Sequence, residues 1–307
     1  MPLLALDGNV VNAPGVPTAS EVVQQLMHST DQSVWAVTAL CLVLDGRAST
    51  GLQGAAADVL ASFGLDGAGS LSDLDGPGVA AQAAAPVLQA AALLRGDGDL
   101  WATQSDAALL AQGRASAQGT AMFAQFGVPR LAGLASAISQ PGAQMLDVGT
   151  GVAALAVAYA KQFPELTVVG IDVLPRVLVL AAATVASSTV PDRVVLRNQD
   201  IATLDDRDTY ALAWVPAPFV PEAALDVGMA RVVQALTPGG WVMLGHGRFT
   251  GDPVNDALTR FKTVVFGGTP LDDEQAQRLV TDAGLESVST LATPPGAPAI
   301  TVGQRPQ

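Results

Sequence analysis

The sequence predicts an α/β chain, an open and mainly parallel sheet behind a mainly helical first third. Three observations predict it. Residues 145–160 run from an apolar strand through a Gly-Thr-Gly turn at Gly149, Thr150 and Gly151 into an Ala-rich helix. Strand-like apolar runs then alternate with helical or turn-like sequence, the alternation that builds parallel sheets through crossover helices. Before residue 140, apolar residues recur at helical spacing instead.

Taken in order, residues 1–17 are rich in Pro, Gly and Asn and read as a flexible lead. Residues 18–105 read as a helical domain. Its periodicity starts at Ala19, continues through 34–44 and recurs over 52–63; a Gly/Asp/Ser stretch over 64–78 interrupts it, and an Ala-rich helix follows over 79–94. Arg95-Gly96-Asp97-Gly98-Asp99-Leu100-Trp101 places a Gly-Asp turn between short apolar runs and reads as a β-hairpin. Residues 106–139 are connecting helices, over 106–125 and 128–138, which should roof the cleft. Residues 140–307 hold the sheet. Its first strand ends at Asp147, its second (166–171) at Asp172, and its third (194–197) runs into Asn198-Gln199-Asp200-Ile201. A fourth (210–215) ends in Pro-Ala-Pro-Phe-Val-Pro, a helix spans 222–236, and Thr237-Pro238-Gly239-Gly240 turns into a fifth (241–245). Two β-rich runs, 285–291 and 299–303, are separated by Pro294, Pro295 and Gly296 and read as a closing antiparallel hairpin.

Strand, glycine turn and helix in this order form a Rossmann-like nucleotide-cofactor site. Glycine is needed because the turn is tight and a side chain would hold the ligand off the backbone N–H groups at the helix end. Gly149, Gly151 and Ala154 also satisfy the G-x-G-x-x-G/A spacing of dinucleotide enzymes, so the glycines alone leave the cofactor open. Asp147 tilts the choice. A carboxylate before the loop repels a pyrophosphate but suits a ligand bearing an ammonium or sulfonium charge.

On these residues the chain resembles the class I S-adenosylmethionine-dependent methyltransferases, whose first motif is an acidic residue followed by G-x-G-x-G, with Ala153 standing here for the third glycine. The likeness spans roughly residues 140–306 and extends to the -Pro-Gly-Gly- turn and the closing hairpin. It implies a seven-stranded methyltransferase sheet and S-adenosylmethionine as cofactor. It further implies that Asp147 lies near the methionine amino group and that Gly149, Thr150 and Gly151 approach the cofactor backbone. Asp172, 21 residues beyond Gly151, would hold the ribose with Val173 beside it, while Asp200 and Ile201 would frame the adenine and Trp214 would line the cofactor site. The acceptor should sit beyond the carboxyl ends of the fourth and fifth strands, beside Pro216, Phe219 and Arg248. Trp214 and Phe219 are either an aromatic wall for a flat acceptor or ordinary packing. His246, between Gly245 and Gly247, is the candidate general base, with lining the pocket or bonding to backbone as the alternative. Similar O-methyltransferases carry their catalytic histidine after the fourth strand, where this chain reads Val215-Pro216-Ala217-Pro218-Phe219.

Helices followed by a hairpin resemble the winged helix that precedes the catalytic fold in many small-molecule O-methyltransferases and mediates their dimerisation. That implies a homodimer joined through the N-terminal domain; a helical cap with a surface hairpin is the alternative. DNA is excluded as a partner, since residues 1–135 hold 4 Arg and no Lys against 11 acidic residues. The net charge of −13 argues equally against anionic membranes. No uninterrupted apolar stretch approaches the ~18 residues of a membrane span. Met1 to Pro14 lacks the basic region of a secretion signal. The single cysteine, Cys41, excludes a disulfide within one chain and points to a reducing cytoplasm, and no Cys/His cluster points to zinc. The expected function is methyl transfer to a small apolar or aromatic acceptor, oxygen favoured over nitrogen or carbon. An NAD(P)-dependent oxidoreductase and a non-methylating binding protein on the same fold are the alternatives.

Overall fold

The computed structural model describes residues 19–46, 49–65, 71, 75–96, 100–293 and 297–307. The lead over 1–17, the apex of the expected 95–101 hairpin and Pro294-Pro295-Gly296 lie outside them. The chain divides into two compact units, Met1–Ala84 and Ala85–Gln307. The boundary falls inside a helix.

In the first unit, α1 (Ala19–Asp45) and α2 (Thr50–Ser62) pack through Ala39, Ala56 and Leu60, with Leu40, Leu42 and Val43 around them. Cys41 donates its thiol to the carbonyl of Ala80 at 3.4 Å. Most of α1 is exposed, Val22, Val23, Leu26, Met27 and Trp35 included. α3 (Gly76–Leu94) crosses the boundary; it is long and apolar enough to cross a membrane by length and composition, which whole-stretch reading passed over because Gln82 and Gln89 interrupt it. In the second unit buried Gln89 donates to Gln112 at 2.8 Å, the bond of a helix packed in protein. α4 (Leu100–Thr103) follows. The segments flanking 97–99 are therefore helical, and the strands of the expected hairpin wing are absent from them.

α5 (Asp106–Ala117) opens on a Ser105 cap and lies against the end of the glycine loop: a Cβ on Gly113 would come within 2.2 Å of Val152. The expected single helix to residue 125 breaks into α6 (Gly119–Met122) and a π turn, Phe123–Gly127, where Gly127 lies so near the Phe123 ring that a Cβ would meet it at 2.3 Å. Pro129 and a left-handed Gly133 (φ 74°) then shorten the second expected helix to α7 (Leu134–Ile138).

The sheet has seven strands: β1 (Gln144–Val148), β2 (Thr167–Asp172), β3 (Val194–Asn198), β4 (Tyr210–Pro216), β5 (Leu236–His246), β6 (Glu286–Leu291) and β7 (Ala299–Gln304). Their order is β3-β2-β1-β4-β5-β7-β6, parallel except for β7. This is the mixed sheet with a C-terminal antiparallel pair that the resemblance implied. The crossovers are α8 (Ala154–Gln162), α9 (Pro175–Ala186) and α10 (Glu222–Ala235). Residues 237–240, expected as a turn before the fifth strand, lie within β5 as a bulge: Tyr210 pairs with Leu236 and Leu212 with Trp241. Apolar side chains on both faces fill two cores, as an internal sheet demands.

Two helices beyond β5 escaped the sequence reading. α11 (Pro253–Val265) starts at an Asp252 cap, and α12 (Asp273–Asp282) at a capping box in which Asp272 and Gln275 bond reciprocally. The turn between them is threaded against the end of β4. Thr269 donates its N–H to Ala217 at 2.9 Å and its hydroxyl to Val220 at 2.9 Å. A Cβ on Gly268 would come within 2.0 Å of the Pro218 carbonyl group. Because that contact is backbone to backbone, no rotamer change relieves it. Gly268→Ala should destabilise the protein by about 1–3 kcal/mol in denaturant unfolding; an unchanged midpoint would contradict the close approach.

Candidate functional site

At the carboxyl end of β1, Asp147 is 1% exposed and accepts the Thr150 hydroxyl at 2.7 Å. Gly170 stands opposite it in β2, where a Cβ would lie 2.6 Å from that hydroxyl oxygen. Glycine in mid-strand thus makes the room in which Thr150 turns inward onto the acid. Burial pushes the Asp147 carboxyl up to about 7, with the Thr150 bond opposing and the Asp172 charge adding to the shift. Gly170 was missed in the sequence, although a lone glycine inside a strand marks a close approach.

The loop itself turns through left-handed conformations at Gly149 (φ 62°), Gly151 (φ 57°) and Ala153 (φ 60°). The first two are the glycines such φ values favour, whereas Ala153 carries the strain of the family's third glycine position. Nothing crowds the two glycines: a Cβ on Gly149 would meet only Pro216 at 3.8 Å, and one on Gly151 only the Gly149 carbonyl at 3.9 Å. A ligand can therefore approach the loop backbone. Asp172, at the tip of β2, accepts N–H groups from Gly151 and Leu174, each at 2.9 Å, and so ties the loop to the neighbouring strand. Each of its oxygens keeps a second lone pair for a hydroxyl. Burial raises its carboxyl above the usual range, and the backbone bonds oppose this. Val173 beside it is exposed. Open glycines, an acid at the tip of β2 and a buried acid beneath the loop fit an S-adenosyl cofactor with hydroxyls and a positive charge.

The third strand contributes less than expected. Asp200 caps its own turn, accepting the Ala202 N–H at 2.8 Å. Ile201 is buried against α10, where a Cβ on Gly228 would meet three of its carbons at 2.7–2.8 Å. Its side chain therefore packs in the first core.

On the β4 side, the Trp214 ring lies over Gly245, where a Cβ would come within 2.5 Å of it, and packs into the second core. Pro216 is buried, and Phe219 belongs to a triad that the sequence did not show. Trp101 meets Phe219 edge-on at 5.2 Å and Phe266 at 5.4 Å, and Phe219 lies 5.3 Å from Phe266. The Trp101 indole N–H donates to the Phe266 carbonyl at 2.9 Å. The three come from α4, the turn after β4 and the end of α11, so no local pattern could announce them. All three remain partly exposed.

Arg248, expected in the acceptor pocket, instead binds the loop between β6 and β7: it donates to the carbonyls of Thr293 (2.9 Å) and Ala297 (3.1 Å) and to the Thr293 hydroxyl. His246 is fully buried. Its Nδ1 lies 3.1 Å from the Gly247 carbonyl and its Nε2 lies 2.9 Å from the Thr301 hydroxyl. A carbonyl only accepts, so these partners assign the proton to Nδ1, with Nε2 accepting from Thr301. Burial lowers its pKa, opposed by the Gly247 bond and Asp273. The imidazole is thus neutral but locked to β7, with no nitrogen left over for a substrate.

Residues 145–240 match the family model of a methyltransferase domain. The release factor glutamine methyltransferase of Koribacter versatilis is 27% identical over 151 residues, covering 39% of this chain and 53% of that protein. The chain spans about half the length of that relative. An O-methyltransferase family protein from Burkholderia thailandensis shares the fold over 95% of this chain and 99% of its own, with a TM-score of 0.64 at 17% identity. Human N-acetylserotonin methyltransferase, solved with S-adenosylmethionine, does so over 96% and 100%, with a TM-score of 0.64 at 14% identity. The sheet, with β7 antiparallel between β5 and β6, carries the closing antiparallel pair that the resemblance implied.

The raised Asp147 carboxyl makes a prediction about stability. Its folded pKa of about 7 exceeds the ordinary 3.8, so its contribution is fully present below 3.8 and is lost as pH rises toward 7. Asn keeps the acceptor for Thr150 without the charge. The stability of Asp147→Asn relative to wild type should climb between those pH values and level off above them, as read by urea unfolding at a series of pH; parallel profiles would refute the buried acid.

Proposed function

We propose that the S-adenosylmethionine-dependent methyltransferase domain carried by this chain methylates a small, planar acceptor, with oxygen as the favoured target atom. The Trp101–Phe219–Phe266 triad beyond the end of β4 carries this reading: three rings packed on one another and each partly exposed offer an apolar aromatic face suited to a flat molecule. The fold likeness to small-molecule methyltransferases over almost the whole chain supports it. A protein acceptor is the second reading, favoured by the release factor glutamine methyltransferases. The exposed apolar residues of α1 support a homodimer through the N-terminal unit, and the lone cysteine supports a cytoplasmic setting.

When bound, S-adenosylmethionine supplies a methyl group already activated on a sulfonium. Asp172 would accept the ribose hydroxyls, the open backbone of Gly149 and Gly151 would receive the cofactor's chain, and Asp147 would favour its positive end from beneath. Asp200 stays at the rim where an adenine would lie, but with one carboxylate oxygen already bonded. Residues on the β4 side hold the acceptor in line, so alignment supplies much of the acceleration. His246 holds β5 to β7 and moves no proton.

Calorimetric titration should show micromolar or tighter binding of S-adenosylhomocysteine and none of NAD or NADP; the reverse pattern would make the chain an oxidoreductase. Asp172→Ala should weaken S-adenosylhomocysteine binding by about 1–3 kcal/mol, and unchanged affinity would remove it from the site. His246→Ala should lower the melting temperature while turnover per folded protein falls less than about tenfold. A loss of about 10²- to 10⁴-fold in a folded variant would restore it as the general base.

A further inference from the structure

The elements around Asp147 close it in without supplying a counter-ion. On β2, Gly170 stands opposite it, and the charge that acts on it is that of another acid, Asp172 at the strand's tip. Its neighbour on β4 is Trp214, which carries no charge. On α8 the titratable group is Tyr159, whose phenol burial keeps neutral. The loop offers the Thr150 hydroxyl, a neutral donor, and Thr150 is held over the acid because its own N–H donates to the Ile171 carbonyl at 3.0 Å. The arginines of the described ion pairs, Arg176, Arg197, Arg278 and Arg305, bond to other acids. Asp147 is thus a carboxyl 1% exposed, with one neutral donor and a second acid facing it. An ionised carboxylate taken out of water without a cation is so costly that the group takes up a proton instead.

The missing cation is one that the cofactor carries. S-adenosylmethionine and S-adenosylhomocysteine share an ammonium and a carboxylate, and the first alone has a sulfonium. Resting on the methyl-transfer reading, we propose that Asp147 is the residue by which this site tells the cofactor from its spent product: it gives up its proton to solvent when S-adenosylmethionine binds, and regains one from solvent when S-adenosylhomocysteine is left. In this exchange the O–H bond of the carboxyl breaks and forms, and no other bond of the protein changes. The preference for S-adenosylmethionine then depends on pH. At low pH its binding must expel a proton, so the preference is small; at higher pH the carboxylate is already formed, and the preference is full.

The test is calorimetric titration of the full chain with each ligand at about pH 6, where the α-amino group of both stays protonated, in two buffers of different ionisation enthalpy. The apparent enthalpy should change with buffer for S-adenosylmethionine and hold for S-adenosylhomocysteine. The ratio of the two affinities should grow about tenfold between about pH 5.5 and 7.5, tenfold being the gain for each unit by which the bound cation shifts the acid. Asp147→Asn, which keeps the acceptor for Thr150, should abolish both the buffer dependence and the rise. Thr150→Val removes the bond that favours the ionised form and should move the rise to higher pH, with Thr150→Ser restoring it, so this pair decides even where Asp147→Asn does not fold. Tight binding of both ligands without proton release would overturn the proposal and leave the cofactor reading standing, and so would release that survives in folded Asp147→Asn. Failure of both ligands to bind the unaltered protein would remove the cofactor reading itself.

Discussion

The carboxyl end of the sheet is organised by the Asp172 carboxylate, which holds the N–H groups of Gly151 and Leu174 at once. One bond reaches back to the glycine loop, the other fixes the start of the chain toward α9. A left-handed loop has few internal hydrogen bonds, and without an external acceptor its orphan N–H groups would be free to reorient. Tied to β2, the loop has its position set by the sheet, which is the most rigid element available. The same carboxylate retains lone pairs for a ligand, so positioning the loop and recognising a hydroxyl are coupled in one group. Beneath it, Gly170, Thr150 and Asp147 form a column in which one missing side chain lets a hydroxyl turn inward and satisfy a buried acid.

The acceptor side is positioned by a different device. Gly268 passes the turn after β4 at a distance only glycine allows, and Thr269 bonds to both ends of that turn. Phe219 and Phe266 are thereby carried on two backbones locked together. Trp101 comes from a four-residue helix, donates its indole N–H to Phe266, meets two rings and packs against the Leu109–Val152–Val177 cluster.

The sheet was readable from the sequence because each strand announces itself locally, by apolar runs that end at Asp147, Asp172 or a proline cluster. The glycine loop was readable for the same reason: its geometry is a property of neighbouring residues. What failed depended on contacts distant in sequence. Trp101 and Phe266 are 165 residues apart and share no pattern. His246 between two glycines looks like an open loop imidazole, and only the pairing of β5 with β7 brings Thr301 against it. Arg248 similarly follows a strand end, but the β6–β7 loop reaches it first. Ile201 was assigned by analogy to a ring contact, while Gly228 on α10 leaves a hole of its size. The broken connecting helices were visible in part, since Pro129 and Gly133 are helix breakers; the π turn at Phe123–Gly127 was not.

Sealing the histidine changes where catalysis has to come from. A free imidazole would let the protein activate a neutral acceptor; a neutral one locked between β5 and β7 contributes rigidity to the wall and nothing to proton transfer. On the proposed reading the electrostatic asymmetry lies instead on the cofactor side, where burial and the Asp172 charge raise the Asp147 carboxyl beneath a loop whose ligand would arrive cationic and leave neutral. A bound sulfonium would favour the ionised state of Asp147, and a neutral product would leave the acid with the desolvation that pushes it toward neutral pH.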